Sequence, residues 1–384
     1  MDTMLFEIVE KVDSLAWASE ADFRLGPGQV VSPEIVVTQP IWSLYSINLS
    51  SRSAWFVELP ADLDLSTSAF AFLDQYKHAR RVLQVPLNSL QVLADRVPAP
   101  DGIIFVFNIG RCGSTLISHV LNTCPQVWSL SEPIAFPQLI MRNYNSDHRQ
   151  DFPRDKLVGL IRACTRLLFR PPAAAKADIF AVKFHSQCLF QADIYHEAFP
   201  EASFVFLYRE AVGWTRSFYQ MARKYGFPAV LTGPEKTSIW NTVTAADDTS
   251  HLRPFVELDA ASVALEDGLV IGWARCMEEY SRMFRDGVPF LAVRYDQLNK
   301  DRETSLEHLF RHCDLPTTAV HPALSAFERD SQAGTLVSHE VEGDAMSAAQ
   351  VQKLRGVLGR YPGFGDPDLR LPDIYSVTTQ SRLR

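Results

Sequence analysis

Cysteine is scarce and scattered. The chain has 384 residues and only six cysteines, at positions 112, 124, 164, 188, 276 and 313. None forms a Cys-x-x-Cys pair or a zinc-ligand spacing, which excludes a disulfide scaffold and a zinc module. The expectation is reduced thiols in a cytoplasmic protein. Long apolar runs are missing too, since none approaches the ~18 residues of a membrane span. The start, "MDTMLFEIVEKVDS", carries acids where a secretory signal would carry bases, so no membrane partner is expected. Positive charge is in deficit: 37 Lys and Arg stand against 45 Asp and Glu, a formal net charge of −8. That balance argues against nucleic acid as a partner. Any polyanionic ligand must be held by local cations and backbone dipoles. There is no internal repeat and no low-complexity segment.

What is present is an α/β pattern. From Gly102 onward, apolar strand signals alternate with helical ones: strands at 103–108, 179–184, 203–208 and 289–295, helices at 114–122, 156–169, 187–198, 211–224, 265–285 and 301–313. Continuous apolar strands joined by helices imply a parallel sheet flanked by helices, with ligands at the carboxyl ends of the strands. Residues 1–100 differ. Runs at 34–39, 42–49 and 54–60 read as strands and 68–83 as an amphipathic helix, an N-terminal α+β elaboration. The core is expected over 101–317, with a lid at 226–262. A C-terminal loop and a helix near 346–360 complete the chain over 318–384. The aromatics Trp42, Tyr45, Trp55 and Phe56 fit either a β core or the wall of an acceptor pocket.

The stretch "FVFNIGRCGSTLI" (105–117) is a buried strand, a tight Gly-bearing loop and a helix start. Such a P-loop-like turn gathers backbone N–H groups and the positive end of a helix at one spot, which suits a phosphate or sulfate. A nucleoside-triphosphate loop would carry Lys after the second Gly. Here Gly113 is followed by Ser114 and Thr115, and the cation stands upstream as Arg111. Its forked guanidinium, with two hydroxyls, suits an anion that need not carry magnesium. The bland alternative is a helix cap with a surface Arg. Cys112 reads as the small residue the turn accepts, or as a thiol activated by the helix start. A second cation, Arg209, ends the strand "FVFLY", and Ser217 lies about two turns into the next helix. Both lie where a second phosphate could be reached, although a surface ion pair of Arg209 with Glu210 or Asp193 would read the same.

These segments resemble the sulfotransferases that use 3′-phosphoadenosine 5′-phosphosulfate. "NIGRCGSTLI" resembles their first motif, "YREAVGWTRSF" with Arg209 and Ser217 their second, and "RYDQL" with Tyr295, Asp296 and Leu298 a weaker third. The three fall in the family's order within roughly 102–315. The resemblance implies a donor held by Arg111, Cys112, Gly113, Ser114, Thr115, Arg209 and Ser217, and a product, adenosine 3′,5′-bisphosphate. It implies transfer to a hydroxyl of a small-molecule acceptor without a metal. It also implies a base. Glu132, in the Glu-Pro turn of "VWSLSEPIAF" after its apolar run, is preferred, as in the bacterial carbohydrate branch. His185, after the strand ending in Lys183, is the alternative, and Lys183 itself is a candidate contact to the reacting groups. Ser331 and Gly334, in a small-residue polar loop, are candidates for the far end of the donor. Two other readings remain open: a kinase with a divergent P-loop, and a non-catalytic binder of adenosine bisphosphate. The oligomeric state is not readable.

Overall fold

A computed structural model describes residues 2–12, 18–144, 152–172, 175–237, 262–332, 335, 345–359, 366 and 369–375. Contacts divide the chain into two units, Met1–Val106 with Thr115–Ser203, and Phe107–Ser114 with Phe204–Arg384.

The first unit opens with an antiparallel sheet built from β1 (Met4–Lys11), β2 (Phe23–Leu25), β3 (Gln29–Val30), β4 (Trp42–Asn48), β5 (Ser53–Glu58) and β6 (Arg81–Pro86). Its order is β2-β1-β6-β5-β4, with β3 also on β1. β4 is buried along almost its whole length because the helices Ala71–His78, Ala135–Tyr144 and Arg154–Leu168 pack against it. Trp42, Tyr45, Trp55 and Phe56 are all core residues of this sheet.

Two expectations for this region need correction. Residues 34–39 are not a strand: Ile35–Thr38 is a single helical turn. The β-branched run suggested extension, but local bonds win. Ser32 Oγ accepts from Glu34 N at 3.3 Å, and Val36 N donates to the Pro33 carbonyl at 3.1 Å. The helix of 68–83 covers only Ala71–His78. Beyond it the chain turns extended at Ala79 and becomes β6, which pairs with both β1 and β5. β1 itself carried no strand expectation.

The second sheet is parallel, with strands β7 (Gly102–Asn108), β8 (Val127–Ser131), β9 (Ile179–Lys183), β10 (Ser203–Tyr208) and, after the short antiparallel pair β11 (Val230–Thr232) and β12 (Ser262–Ala264), β13 (Phe290–Arg294). Its order is β13-β10-β7-β9-β8. Lys183 is in register with both Val106 and Ser131, so β8 and β9 end level while β7 runs on to Asn108. The 187–198 segment is a 3-10 turn, Ser186–Gln191, followed by the helix Ala192–Ala198.

In the second unit, β10 and β13 pair in parallel, with Tyr208 opposite Arg294. The helices Ala211–Lys224 and Leu265–Arg285 pack on each other, and Ala348–Leu358 packs on the latter. Phe206 stacks on Tyr280 at 4.5 Å between ring centres, which anchors the long helix to the sheet. Most of the expected lid lies outside the described residues. Among the described residues no helix is long and apolar enough to cross a membrane.

Candidate active site

The loop after β7 is held in a conformation that the sequence only hints at. Gly110, Arg111 and Gly113 all have positive φ, at 72°, 50° and 79°. Successive left-handed residues turn backbone N–H groups toward a common concavity. Asn108 Oδ1 starts the turn by accepting from Gly110 N at 2.8 Å. Trp214 Nε1 then donates to the carbonyls of Ile109 and Gly110 at 3.1 and 3.0 Å. A Cβ on Gly113 would stand 2.9 Å from the Tyr295 ring, so only glycine fits there. Cys112 is fully buried and its thiol donates to the Leu207 carbonyl at 3.4 Å. It serves the turn. Ser114 and Thr115 begin the helix Ser114–Leu121 and are both buried.

Arg111 is a left-handed non-glycine residue, a conformation worth ~1–3 kcal/mol of strain that concentrates at functional sites. Its side chain is tethered twice. Nε donates to Ser217 Oγ at 3.1 Å, and Nη1 donates to Gln332 Oε1 at 2.9 Å. The first contact joins the two expected anion motifs. Gln332 was not anticipated, although it neighbours the candidate Ser331. The other candidate in that loop, Gly334, lies outside the described residues.

The second cation is placed by strand register. Because Tyr208 and Arg294 are partners, the residues after them, Arg209 and Tyr295, emerge side by side, and the guanidinium lies over the Tyr295 ring at 4.8 Å. Arg209 is not paired with a neighbouring acid. Asp193 binds Arg154, and the Glu210 carboxylate caps the helix Ala211–Lys224 by accepting from Val212 N at 2.8 Å and from Gly213 N. Gly213 lets this happen, since a Cβ there would stand 3.0 Å from Arg209 Nε. Arg209 Nε is buried and meets no acceptor among the described residues. Burial and the nearby Arg209 charge lower the pKa of Arg111, against smaller opposing effects of Tyr295, Tyr225 and Asp330. Two like charges beside an orphaned buried donor fit an anion with several acceptor oxygens.

The expected base lies in the first unit. Glu132 follows β8, has φ 54° and precedes Pro133. Its N–H donates to the Lys183 carbonyl at 2.7 Å, and its carboxylate is ion-paired with the Lys183 ammonium. Lys183 is almost wholly buried at 2% exposure, and its ammonium lies 5.5 Å from the centre of the Phe70 ring. Burial pushes the Glu132 pKa up, but Lys183, then His185, and the bond from Lys183 outweigh it, so it lies below the ordinary value. The partly buried His185 is lowered by burial, with Glu132 opposing and Lys183 assisting. At neutral pH this cluster therefore holds an ionised carboxylate and a neutral imidazole around the Lys183 side chain. One proton acceptor and one cation stand at the carboxyl ends of β8 and β9.

An α/β protein with an arginine-bearing strand–loop–helix turn is the class that the fold and these residues define. Residues 103–319, more than half of the chain, match the profile of the Sulfotransferase family, and the protein belongs to that family. Similar solved structures include a sulfotransferase from Alicyclobacillus acidocaldarius (14% identity, 69% of this chain and 93% of that one, TM-score 0.38). A sulfotransferase from Mycobacterium tuberculosis matches at 16% identity over 70% of this chain and 78% of its own, with TM-score 0.41. Retinol dehydratase in complex with androsterone and the inactive cofactor PAP matches at 14% identity over 74% of this chain and 87% of its own, with TM-score 0.34. No curated protein matches the chain.

Proposed function

We propose that the protein transfers a sulfuryl group from 3′-phosphoadenosine 5′-phosphosulfate to a hydroxyl of a small-molecule acceptor. The observation that carries this reading is the proximity of Arg111 and Arg209, with Arg209 Nε buried and meeting no acceptor among the described residues. A donor with phosphates at both ends of one adenosine needs two cation sites, and family membership supports that choice over a nucleoside triphosphate.

When bound, the donor supplies an activated sulfuryl group on a phosphate leaving group. Arg111, Gly113, Ser114 and Thr115 would hold the 5′ end, where the loop's N–H groups and the guanidinium stabilise developing negative charge. Arg209 and Ser217 would hold the 3′-phosphate, and Gln332 keeps Arg111 aimed. Glu132, already ionised, would take the acceptor proton at a carboxylate oxygen. Lys183 keeps that carboxylate charged and oriented, and His185 stays neutral beside it.

Calorimetric titration of adenosine 3′,5′-bisphosphate without magnesium tests the reading. Arg209→Ala is expected to weaken binding by about 1.5–3 kcal/mol, as for a lost charged hydrogen bond. Absence of binding to the wild type, with ATP and magnesium bound instead, would overturn it.

A further inference from the structure

Apart from the candidate active site, the first unit holds a cavity of about 640 Å³. Its walls are the turn between β4 and β5, the end of β6 with the short helical turns after it, and the helix Arg154–Leu168. The volume lies within the roughly 300–1,000 Å³ of small-molecule sites. Leu87, Phe152, Leu160 and Ala163 give an apolar lining, and Arg52 and Lys156 add two cations. Among the described residues neither cation is ion-paired, and no described lining residue is an acid. In a chain of net charge −8, such a local excess of cations selects a negative ligand.

Two backbone features indicate that the cavity is built rather than left over. Arg52 has φ 50°, a conformation that Gly or Asn adopts more easily. It is fixed there because Asn48 Oδ1 accepts from Ser50 N and Ser51 N at 2.9 and 3.0 Å, and Leu87 N donates to the Arg52 carbonyl at 2.9 Å. The turn thus holds an arginine in a strained position on the cavity wall. Gly159 sits within the helix Arg154–Leu168, where glycine weakens a helix. No close neighbour demands it: a Cβ there would meet only Gln91 Oε1, at 3.9 Å. Its missing side chain instead enlarges the cavity it lines.

We infer that this cavity binds an amphipathic anion, a single apolar chain ending in a carboxylate or a sulfate ester. The chain packs against Leu87, Leu160 and Ala163, and the head group is met by Arg52 and Lys156. The inference does not depend on the sulfotransferase reaction, because it uses none of its residues.

The test is calorimetric titration of the full chain with decanoate, decyl sulfate and decanol, each below its micellar concentration. Either anion is expected to bind at least about tenfold tighter than decanol, as one charged contact provides; the tighter of the two identifies the head group. The double variant Arg52→Asn, Lys156→Gln keeps a residue that tolerates the left-handed backbone, and should bring both anions down to the affinity of decanol. Gly159→Leu should abolish binding of all three without lowering the melting temperature. The inference fails if neither anion binds the wild type, if decanol binds as tightly as the anions, or if either variant, folded by its melting curve, binds decanoate and decyl sulfate unchanged.

Discussion

Arg111 joins strain, charge and two tethers in one side chain. Its Nε and Nη1 contacts to Ser217 and Gln332 need a planar fork, which lysine lacks. Arg111→Lys should therefore weaken adenosine 3′,5′-bisphosphate binding by about 1.5–3 kcal/mol in calorimetry although the charge is kept. Glu132→Gln should do the opposite. Binding of the bisphosphate should hold, while kcat falls by roughly 10²–10⁴, the usual contribution of a general base. The pH profile decides between the two candidate bases. Glu132 lies below its ordinary value of about 4.3, so with Glu132 as base kcat/KM should stay flat from neutrality down into the acid range. An acid limb that sets in below the ordinary histidine value of about 6.5 would assign the base to His185 instead. The placement of Arg111, Arg209 and Glu132 just past strand ends, and of Ser217 inside the next helix, was legible in the sequence because each stands at a fixed offset from an apolar run. Gln332 was not, because it meets Arg111 across 221 residues and no local pattern marks it. Gly213 escaped notice for another reason: its role is the room it leaves for Arg209 and Glu210.

At the scale of elements, the parallel strands were readable because each is a continuous apolar run covered on both faces. β1 was not, because Met4–Lys11 carries two glutamates and is only partly buried. Its identity comes from pairing with β2, β3 and β6, which a local reading does not contain. The segment 34–39 shows the reverse error, where β-branched propensity lost to the local hydrogen bonds of a single helical turn. Two glycines separate geometry from propensity. Gly113→Ala places a methyl group 2.9 Å from Tyr295 at φ 79°, and should cost about 1–3 kcal/mol of stability along with bisphosphate binding. Gly356→Ala, in the helix Ala348–Leu358 with nothing within 4 Å of the new methyl, should stabilise by about 0.5–1 kcal/mol. Urea unfolding of both variants checks the contrast.

For the whole molecule, the cluster at the ends of β8 and β9 links stability to pH. His185 is depressed, so its contribution is complete above about 6.5 and shrinks as pH falls below that value. Glu132 is depressed as well; its contribution is complete above about 4.3 and is lost as pH falls through its lower folded value. Both effects weaken the fold on the acid side. His185→Gln should accordingly flatten the decline of melting temperature between about pH 6.5 and 4.3, as followed by thermal melts in a buffer series. A decline of unchanged slope would show that the imidazole carries none of it.

The eight residues Phe107–Ser114 group with Phe204–Arg384, while the chain on either side of them groups with the other unit. The anion loop is thus lent by one half of the polypeptide to the other. A break between Ser203 and Phe204 would divide the chain into two contiguous pieces, yet leave Arg111 on one and Ser217 on the other. The proposed donor site therefore cannot be excised as a cassette or transplanted by simple fusion. Any recombination that moves the second half of the gene alone would carry away Arg209 and Ser217 and strand their partner behind.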